Sequence, residues 1–242
     1  MNKYAILFSG QGAQRVGMGH DLYVASERAK EIFEMGEKQM PGLLDVLFSG
    51  DDATLTRTEY AQPALFLVDL AFAEELRARG VEGALVAGFS LGEIPALAYT
   101  GILTREEAFS LVLARSRKMA ELSARYPGAM AAVLKLDAAT VEEACARHAG
   151  VWPVNYNCPG QIACAGTPEA VDALCEDVKA LGGRAVKLAV SGAFHTPFMA
   201  EAESELRHAL SGMRIKTPKI PLYSDLTGDA YPPEPDRIRE TI

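Results

Sequence analysis

The sequence predicts an α/β protein in which a large parallel-sheet domain carries a small inserted subdomain. Three observations support this. Short apolar runs alternate with helical patterns in the first 127 residues, two of those runs end in glycine-rich turns, and residues 128–190 follow the order β-α-β-β-α-β. Strands alternating with helices are typical of a parallel sheet, and the second order is typical of a ferredoxin-like unit. We predict a large domain formed by 1–127 and 191–242, with a ferredoxin-like subdomain at 128–190.

The first 127 residues contain two predicted strands and four predicted helices. The first strand, Tyr4–Phe8, is a short apolar run that leads into Gly10-Gln11-Gly12. The following segments are helix 20–38, helix 59–79 closed by Gly80, strand 84–88, an Ala/Leu-rich helix after residue 92, and a helix from Thr104 to about Ser123. Thr104 and Glu107 form a capping box at the start of that last helix.

The remaining residues complete the inserted subdomain and return to the large domain. The subdomain consists of strands 130–136, 151–156, 162–165 and 184–189 and helices 138–148 and 168–181. Ser191 to Met199 reads as a loop that leads back to the large domain, and a helix begins after it. The segment 236–242 reads as a helical turn.

Composition and charge exclude several classes of partner. The chain has 242 residues and a net charge of −8, without the basic face that a nucleic-acid-binding protein needs. Its most apolar long window, 61–73, is interrupted by Asp69 and cannot span a bilayer. No C-x-x-C occurs and the four histidines lack ligand spacing, which argues against a metal site. The apolar run at the N-terminus is too short for a secretion signal. We expect a cytoplasmic protein.

Gly88-Phe89-Ser90-Leu91-Gly92 is the first candidate for chemistry. It is a G-x-S-x-G sequence between a predicted strand and a predicted helix, which is the setting of a nucleophile elbow and indicates an α/β hydrolase-like large domain. The N-terminus of the following helix would offer N–H groups and a positive dipole to a developing oxyanion. The alternative is a glycine-bounded turn with a solvated serine.

His195 is the candidate base for this serine. It lies in the small-residue loop Ser191–Pro197, which returns the chain to the predicted large domain. The other histidines lie in polar or helix-end positions typical of the surface. The alternative for His195 is an ordinary loop histidine.

Arg115 falls on the apolar stripe of the helix that starts at Thr104, whereas Arg117 does not. An arginine that faces the core must meet an anion, because a buried unpaired charge is costly. That anion is either an internal Asp or Glu or the carboxylate of a substrate. Spacing alone does not separate the two.

Five separated motifs give the chain a resemblance to a known family. They are Gly10–Gln14, Gly88–Glu93, Arg115, Asn155–Gln161 and Gly192–His195. In this order, and over essentially the whole chain, they resemble malonyl-CoA:acyl carrier protein transacylases, the acyltransferase family of fatty-acid and polyketide synthesis.

The resemblance implies a role for each matching residue. Ser90 is the nucleophile that carries a malonyl ester and His195 is its base, while the backbone N–H groups of Gln11 and Leu91 form the oxyanion hole. Substrate contacts come from three side chains: Arg115, Phe194 and Asn157. The implied partners are malonyl-CoA, as substrate, and acyl carrier protein. No tightly bound cofactor, metal, nucleic acid or membrane is implied, and we expect a monomer.

Two departures from the family pattern keep alternatives open. Phe89 replaces the histidine that usually precedes the elbow serine. Family members also continue beyond the point matching Ile242, through a glutamine whose backbone carbonyl orients the catalytic histidine, so the sequence reads as a C-terminally short member. The alternatives are a serine thioesterase or esterase, and a truncated module that binds carrier protein with little activity.

Overall fold

The computed structural model describes residues 4–190 and 192–242, so Ser191 of the predicted return loop lies outside the described residues. The chain divides into two compact units. The first contains the residues up to Arg117 together with Leu206–Ile242, and the second is Lys118–Glu205. The second unit is therefore wider at both ends than the predicted subdomain, 128–190.

The first unit contains a three-stranded parallel sheet in the order β1-β2-β7, with β1 Tyr4–Phe8, β2 Gly83–Gly88 and β7 Leu222–Tyr223. Its helices are α1 His20–Ala25, α2 Glu27–Gln39, α3 Leu43–Ser49, α4 Asp52–Thr56, α5 Thr58–Ala78, α6 Glu93–Thr100 and α11 Pro235–Thr241. The parallel pairing confirms the predicted α/β class.

The centre of the first unit is α5. Most of its residues are buried, including Phe66 and Leu70. A helix that is apolar on nearly all sides belongs inside a core. Around it, Phe66 packs edge-on against Phe109, with their ring centroids 5.4 Å apart. This buried helix fixes the loop after β1, as described below.

The second unit contains a four-stranded antiparallel sheet in the order β4-β5-β3-β6. The strands are β3 Ala129–Leu134, β4 Val151–Cys158, β5 Gln161–Gly166 and β6 Arg184–Lys187, and the helices are α8 Ala138–Ala146 and α9 Pro168–Ala180. The first and third strands of the unit are central, which is the ferredoxin-like arrangement that the β-α-β-β-α-β order predicts. Two long helices, α7 Arg105–Arg125 and α10 Ala200–Ser211, contain the boundaries between the units.

The structure corrects the predicted single helix over 20–38. Ser26 is extended and its hydroxyl oxygen accepts a hydrogen bond from the N–H of Ala29, so it ends α1 and caps α2. The short helices α3 and α4 and the two-residue strand β7 were not predicted. Across the described ranges, no helix is long and apolar enough to cross a membrane.

Candidate active site

Ser90 lies on a sharp turn after β2. It opens a 3₁₀ turn, Ser90–Gly92, which leads directly into α6. Its φ of 51° lies in the left-handed region, which a residue with a side chain rarely adopts. Strained backbone of this kind concentrates at functional sites and is typical of a nucleophile elbow. The strand–turn–helix context predicted for Ser90 is therefore present.

The two glycines of the elbow are required by close packing of the backbone. A Cβ atom on Gly88 would lie 2.1 Å from the carbonyl carbon of Gly92. A Cβ atom on Gly92 would lie 2.4 Å from the carbonyl oxygen of Phe8, at the end of β1. Both contacts are with backbone, which cannot move aside as a flexible side chain can. The turn therefore requires glycine at position 88 to close tightly and glycine at position 92 to pack against the end of β1.

Arg115 projects from α7 to the nucleophile. Its side chain is buried, with 9% of the residue exposed, and its Nη2 donates a hydrogen bond to Ser90 Oγ at 2.9 Å. Burial lowers the pKa of Arg115 to about 10, and the attraction of Glu93 and Asp225 opposes that shift, so the guanidinium stays charged at neutral pH. Arg115 makes no ion pair with any carboxylate in 4–190 or 192–242. Its hydrogen bond within these ranges is to Ser90, while Glu93 and Asp225 attract it from beyond ion-pair distance.

Three further side chains form a hydrogen-bonded group that begins at the backbone of Ser90, and the sequence analysis assigned none of them a role. The backbone N–H of Ser90 donates to Asp225 Oδ2. The N–H of Asp225 and the hydroxyl of Tyr231 both donate to Glu93 Oε1, at 3.2 and 2.7 Å. Burial raises the pKa of Glu93 to about 7; the Tyr231 hydrogen bond opposes this shift and the charge of Asp225 adds to it. Glu93 was part of a recognised motif, whereas Asp225 follows a strand of only two residues.

The loop after β1 is held by polar groups of α5. Gln11 Nε2 donates to Thr58 Oγ1 at 3.2 Å, and Gln62 Nε2 donates to Gln11 Oε1 at 3.1 Å. Thr58 and Gln62 are both buried. These two bonds fix the side chain of Gln11, and neither of them uses its backbone N–H.

Leu91 is the second residue of the 3₁₀ turn and is buried. N–H groups in the first turn of a helix have no partner within that turn, which suits Leu91 to an oxyanion. That the N–H groups of Gln11 and Leu91 receive an oxyanion stays a prediction.

His195, Phe194 and Asn157 lie in the second unit. His195 is exposed and has a φ of 61°, so it too adopts a left-handed conformation. Its loop is fixed by Thr196, whose Oγ1 donates to the carbonyl oxygen of Ala193 at 2.7 Å. Phe194 is 6% exposed and belongs to a small apolar cluster of this unit, while Asn157 is exposed on β4. Their catalytic and binding roles stay predictions.

Comparison with known proteins shows the family to which the chain belongs. The sequence profile described as "Acyl transferase domain" matches residues 6–240. The chain is 36% identical to "Malonyl CoA-acyl carrier protein transacylase" of Bacillus subtilis, over 100% of this chain and 78% of that protein.

Two solved structures are similar throughout the chain. The malonyl CoA-acyl carrier protein transacylase of Coxiella burnetii is 31% identical with a TM-score of 0.93, covering 99% of this chain and 77% of that one. A malonyl-transacylase solved in complex with its type II PKS acyl-carrier protein is 32% identical, also with a TM-score of 0.93, covering 99% and 79%. The elbow serine and buried arginine thus occur in a chain that belongs to the acyl transferase domain family.

Proposed function

We propose that this chain is a malonyl-CoA:acyl carrier protein transacylase that works through a malonyl ester on Ser90. The observation that carries the proposal is the contact between the buried Arg115 guanidinium and Ser90 Oγ. One methylene separates the carbonyl of a malonyl group from its carboxylate. A malonyl ester on Ser90 would therefore keep its carboxylate within reach of Arg115. The relatives from Bacillus subtilis and Coxiella burnetii are both named malonyl CoA-acyl carrier protein transacylases, which supports malonyl-CoA as the substrate.

In the first half-reaction, His195 takes the proton of the Ser90 hydroxyl while Oγ bonds to the thioester carbonyl carbon. The N–H groups of Leu91 and Gln11 stabilise the resulting oxyanion. Collapse of that intermediate breaks the carbon–sulfur bond, and the departing coenzyme A thiolate takes the proton from His195. A malonyl-serine ester remains.

The second half-reaction runs the same steps in reverse with a different thiol. The phosphopantetheine thiol of an acyl carrier protein gives its proton to His195 and attacks the ester carbonyl. Ser90 leaves and regains the proton. Because thioester and ester exchange through one nucleophile and one base, the proposal includes no tightly bound cofactor.

Arg115 provides the proposed discrimination between acyl groups. A malonyl carboxylate would pair with the guanidinium, whereas an acetyl group would leave the buried charge without that partner. Phe194 and Asn157 complete the proposed substrate contacts, and the support for these two residues is the resemblance to the transacylase family.

The protein acts as a monomer in the cytoplasm. None of the four cysteines forms a disulfide, which fits a reducing compartment.

The test is intact-protein mass spectrometry after mixing the chain with malonyl-CoA, followed by addition of holo acyl carrier protein. We expect one malonyl adduct, which then moves to the carrier protein. Ser90→Ala should abolish the adduct, and Ser110→Ala, which changes an exposed serine of α7, should keep it. Release of free malonate without transfer would instead identify a hydrolase. A folded chain that binds carrier protein but takes no adduct would be a binding module.

His195 is tested through both half-reactions. His195→Ala should slow loading from malonyl-CoA and transfer to carrier protein together, since one base serves both steps. His208→Ala changes an exposed histidine of α10 and serves as the control. An effect of His195→Ala on only one of the two steps would contradict the assignment.

A further inference from the structure

Asp225 lies beside Ser90 because of the parallel pairing of β2 and β7. Ala87 of β2 is in register with Tyr223 of β7, so the residues that follow these strands leave the sheet at the same edge. Ligand-binding residues of parallel sheets collect at this carboxyl edge. Here the edge places a carboxylate, Asp225, on the backbone N–H of the nucleophile itself.

A tight turn holds Asp225 in this position. The N–H of Gly228 donates to the carbonyl oxygen of Ser224 at 2.9 Å, and the N–H of Leu226 donates to Ser224 Oγ at 3.0 Å. The N–H of Asp225 itself donates to Glu93 Oε1 at 3.2 Å. Asp225 is therefore fixed on both sides by hydrogen bonds, although the residue as a whole is exposed to solvent.

The charge of Asp225 acts on the guanidinium that contacts the same serine. Asp225 and Glu93 both attract Arg115 electrostatically. Partial burial raises the pKa of Asp225, while the N–H of Ser90 and the charge of Arg115 oppose that shift. Arg115 thus already interacts with a negative charge before any acyl group binds.

We propose that Asp225 is a specificity-determining residue, because its negative charge competes with the carboxylate of an acyl group for Arg115. This inference rests on the proposed function, and it concerns the degree of preference and not the reaction itself. In this arrangement one buried cation is shared between an internal anion and the substrate anion. The preference of the site for a malonyl group over an uncharged acyl group is therefore smaller than it would be if Arg115 had no internal anion beside it.

Two substitutions separate the charge of Asp225 from its hydrogen bond. Asp225→Asn keeps a carbonyl oxygen that can accept from the Ser90 N–H but removes the negative charge. Asp225→Ala removes both. Asp229→Asn makes the same charge change at an exposed position four residues along the chain and is the matched control. If the charge of Asp225 sets the preference between malonyl and acetyl groups, Asp225→Asn should change that preference and Asp229→Asn should not.

The first measurement is the rate of Ser90 acylation by malonyl-CoA and by acetyl-CoA, followed by intact mass. Asp225→Asn should raise the malonyl-to-acetyl rate ratio by roughly 3- to 10-fold, the size expected for one partly screened charge. Asp225→Ala should slow acylation by both thioesters, because the elbow loses an acceptor. Asp229→Asn should leave the ratio unchanged.

The second measurement needs no catalysis. Sodium malonate, compared with sodium chloride at equal ionic strength, should raise the melting temperature, and the concentration dependence gives a dissociation constant. Asp225→Asn should lower that constant by roughly the same 3- to 10-fold. Tighter malonate binding without any malonyl adduct would defeat the proposed function and leave the Asp225 assignment standing. An unchanged rate ratio in an active enzyme, or malonate binding that ignores Asp225→Asn or does not occur, would overturn the assignment.

Discussion

The guanidinium of Arg115 donates a hydrogen bond to the hydroxyl oxygen of Ser90, at 2.9 Å, from the buried side of α7. The cation that would hold a substrate carboxylate is therefore in direct contact with the atom that would carry the acyl group. Under the proposed function, this contact connects the elbow to the choice of acyl group.

Removing Arg115 should reduce malonyl transfer and relax the exclusion of acetyl-CoA. We expect Arg115→Ala to cost about 2–4 kcal/mol in malonyl loading, the range for a lost buried charge-assisted pair. That corresponds to a rate lower by roughly 30- to 900-fold. Loading by acetyl-CoA should fall much less, because it makes no such pair. Intact mass against time measures both rates.

The control for this prediction is Arg117→Ala, which removes an exposed arginine from the same helix. It should change neither rate. An equal loss with both thioesters in Arg115→Ala would mean that the guanidinium orients Ser90 without selecting the acyl group.

Gly92 should tolerate no side chain. A Cβ atom there would lie 2.4 and 2.6 Å from the carbonyl oxygens of Phe8 and Ser9, although the helical φ of −60° suits alanine. The effect of Gly92→Ala is therefore steric, and we expect a loss of at least about 2 kcal/mol in unfolding free energy. Gly212→Ala, with nothing within 4 Å of its Cβ, should change it by less than about 0.5 kcal/mol. Urea unfolding of both variants measures this, and equal stability would contradict the close packing.

Periodicity predicted the long elements well because it is a local signal. The pattern for helix 59–79 matches α5 Thr58–Ala78, and the β-α-β-β-α-β order matches the second unit. Short elements lack enough turns to establish a period, so α3, α4 and β7 were not predicted. The break at Ser26 carried a signal, a capping serine, that the apolar pattern outweighed.

The candidate site was predictable where one short motif contains the whole feature. The Ser90 elbow has its glycines within two residues on either side. Arg115 was marked by its position on the apolar stripe of α7. Asp225 gave no such signal. Its place beside Ser90 depends on the pairing of β7 with β2, two strands separated by more than 130 residues in the sequence. The sequence likewise contained no signal that Gln62 contacts Gln11, because the two residues are 51 positions apart.

Gln62 should act as a positioning residue for Gln11. Gln62→Met keeps the size of this buried side chain but removes its hydrogen bond to Gln11 Oε1. If the Gln11 N–H stabilises the oxyanion, its displacement should slow acylation by roughly 10- to 100-fold. The loss should be equal for malonyl-CoA and acetyl-CoA, because both pass through the same oxyanion.

Two further results define this test. Gln39→Met removes a hydrogen-bonding glutamine at the end of α2 and should leave the rates unchanged. A selective loss with malonyl-CoA in Gln62→Met would place Gln62 in carboxylate recognition instead.

Glu93 should make the first unit less stable as pH rises towards neutrality. Burial raises its pKa from 4.5 to about 7, so between these values the folded protein holds a proton that the unfolded chain has released. Stability therefore falls as pH rises from about 4.5 to 7 and is constant above that, as far as this group is concerned. Glu93→Gln keeps an acceptor oxygen for Tyr231 and should remove this slope. Compared with the unsubstituted protein, the unfolding free energy of the variant should therefore improve by about 1–3 kcal/mol between pH 4.5 and pH 8.

A second half-buried acid provides the control for the pH dependence. Burial raises the pKa of Asp69 to about 6, and Ser9 Oγ lies 3.0 Å from both of its carboxylate oxygens. Asp69→Asn should remove only the part of the slope between about pH 4 and 6 that Asp69 causes, and it should leave the slope between pH 6 and 7 unchanged. Chemical unfolding followed by circular dichroism across this range measures both. If Glu93→Gln retained the slope between pH 6 and 7, the proton would belong to another group, and Glu93 would be ionised beside Arg115 at neutral pH.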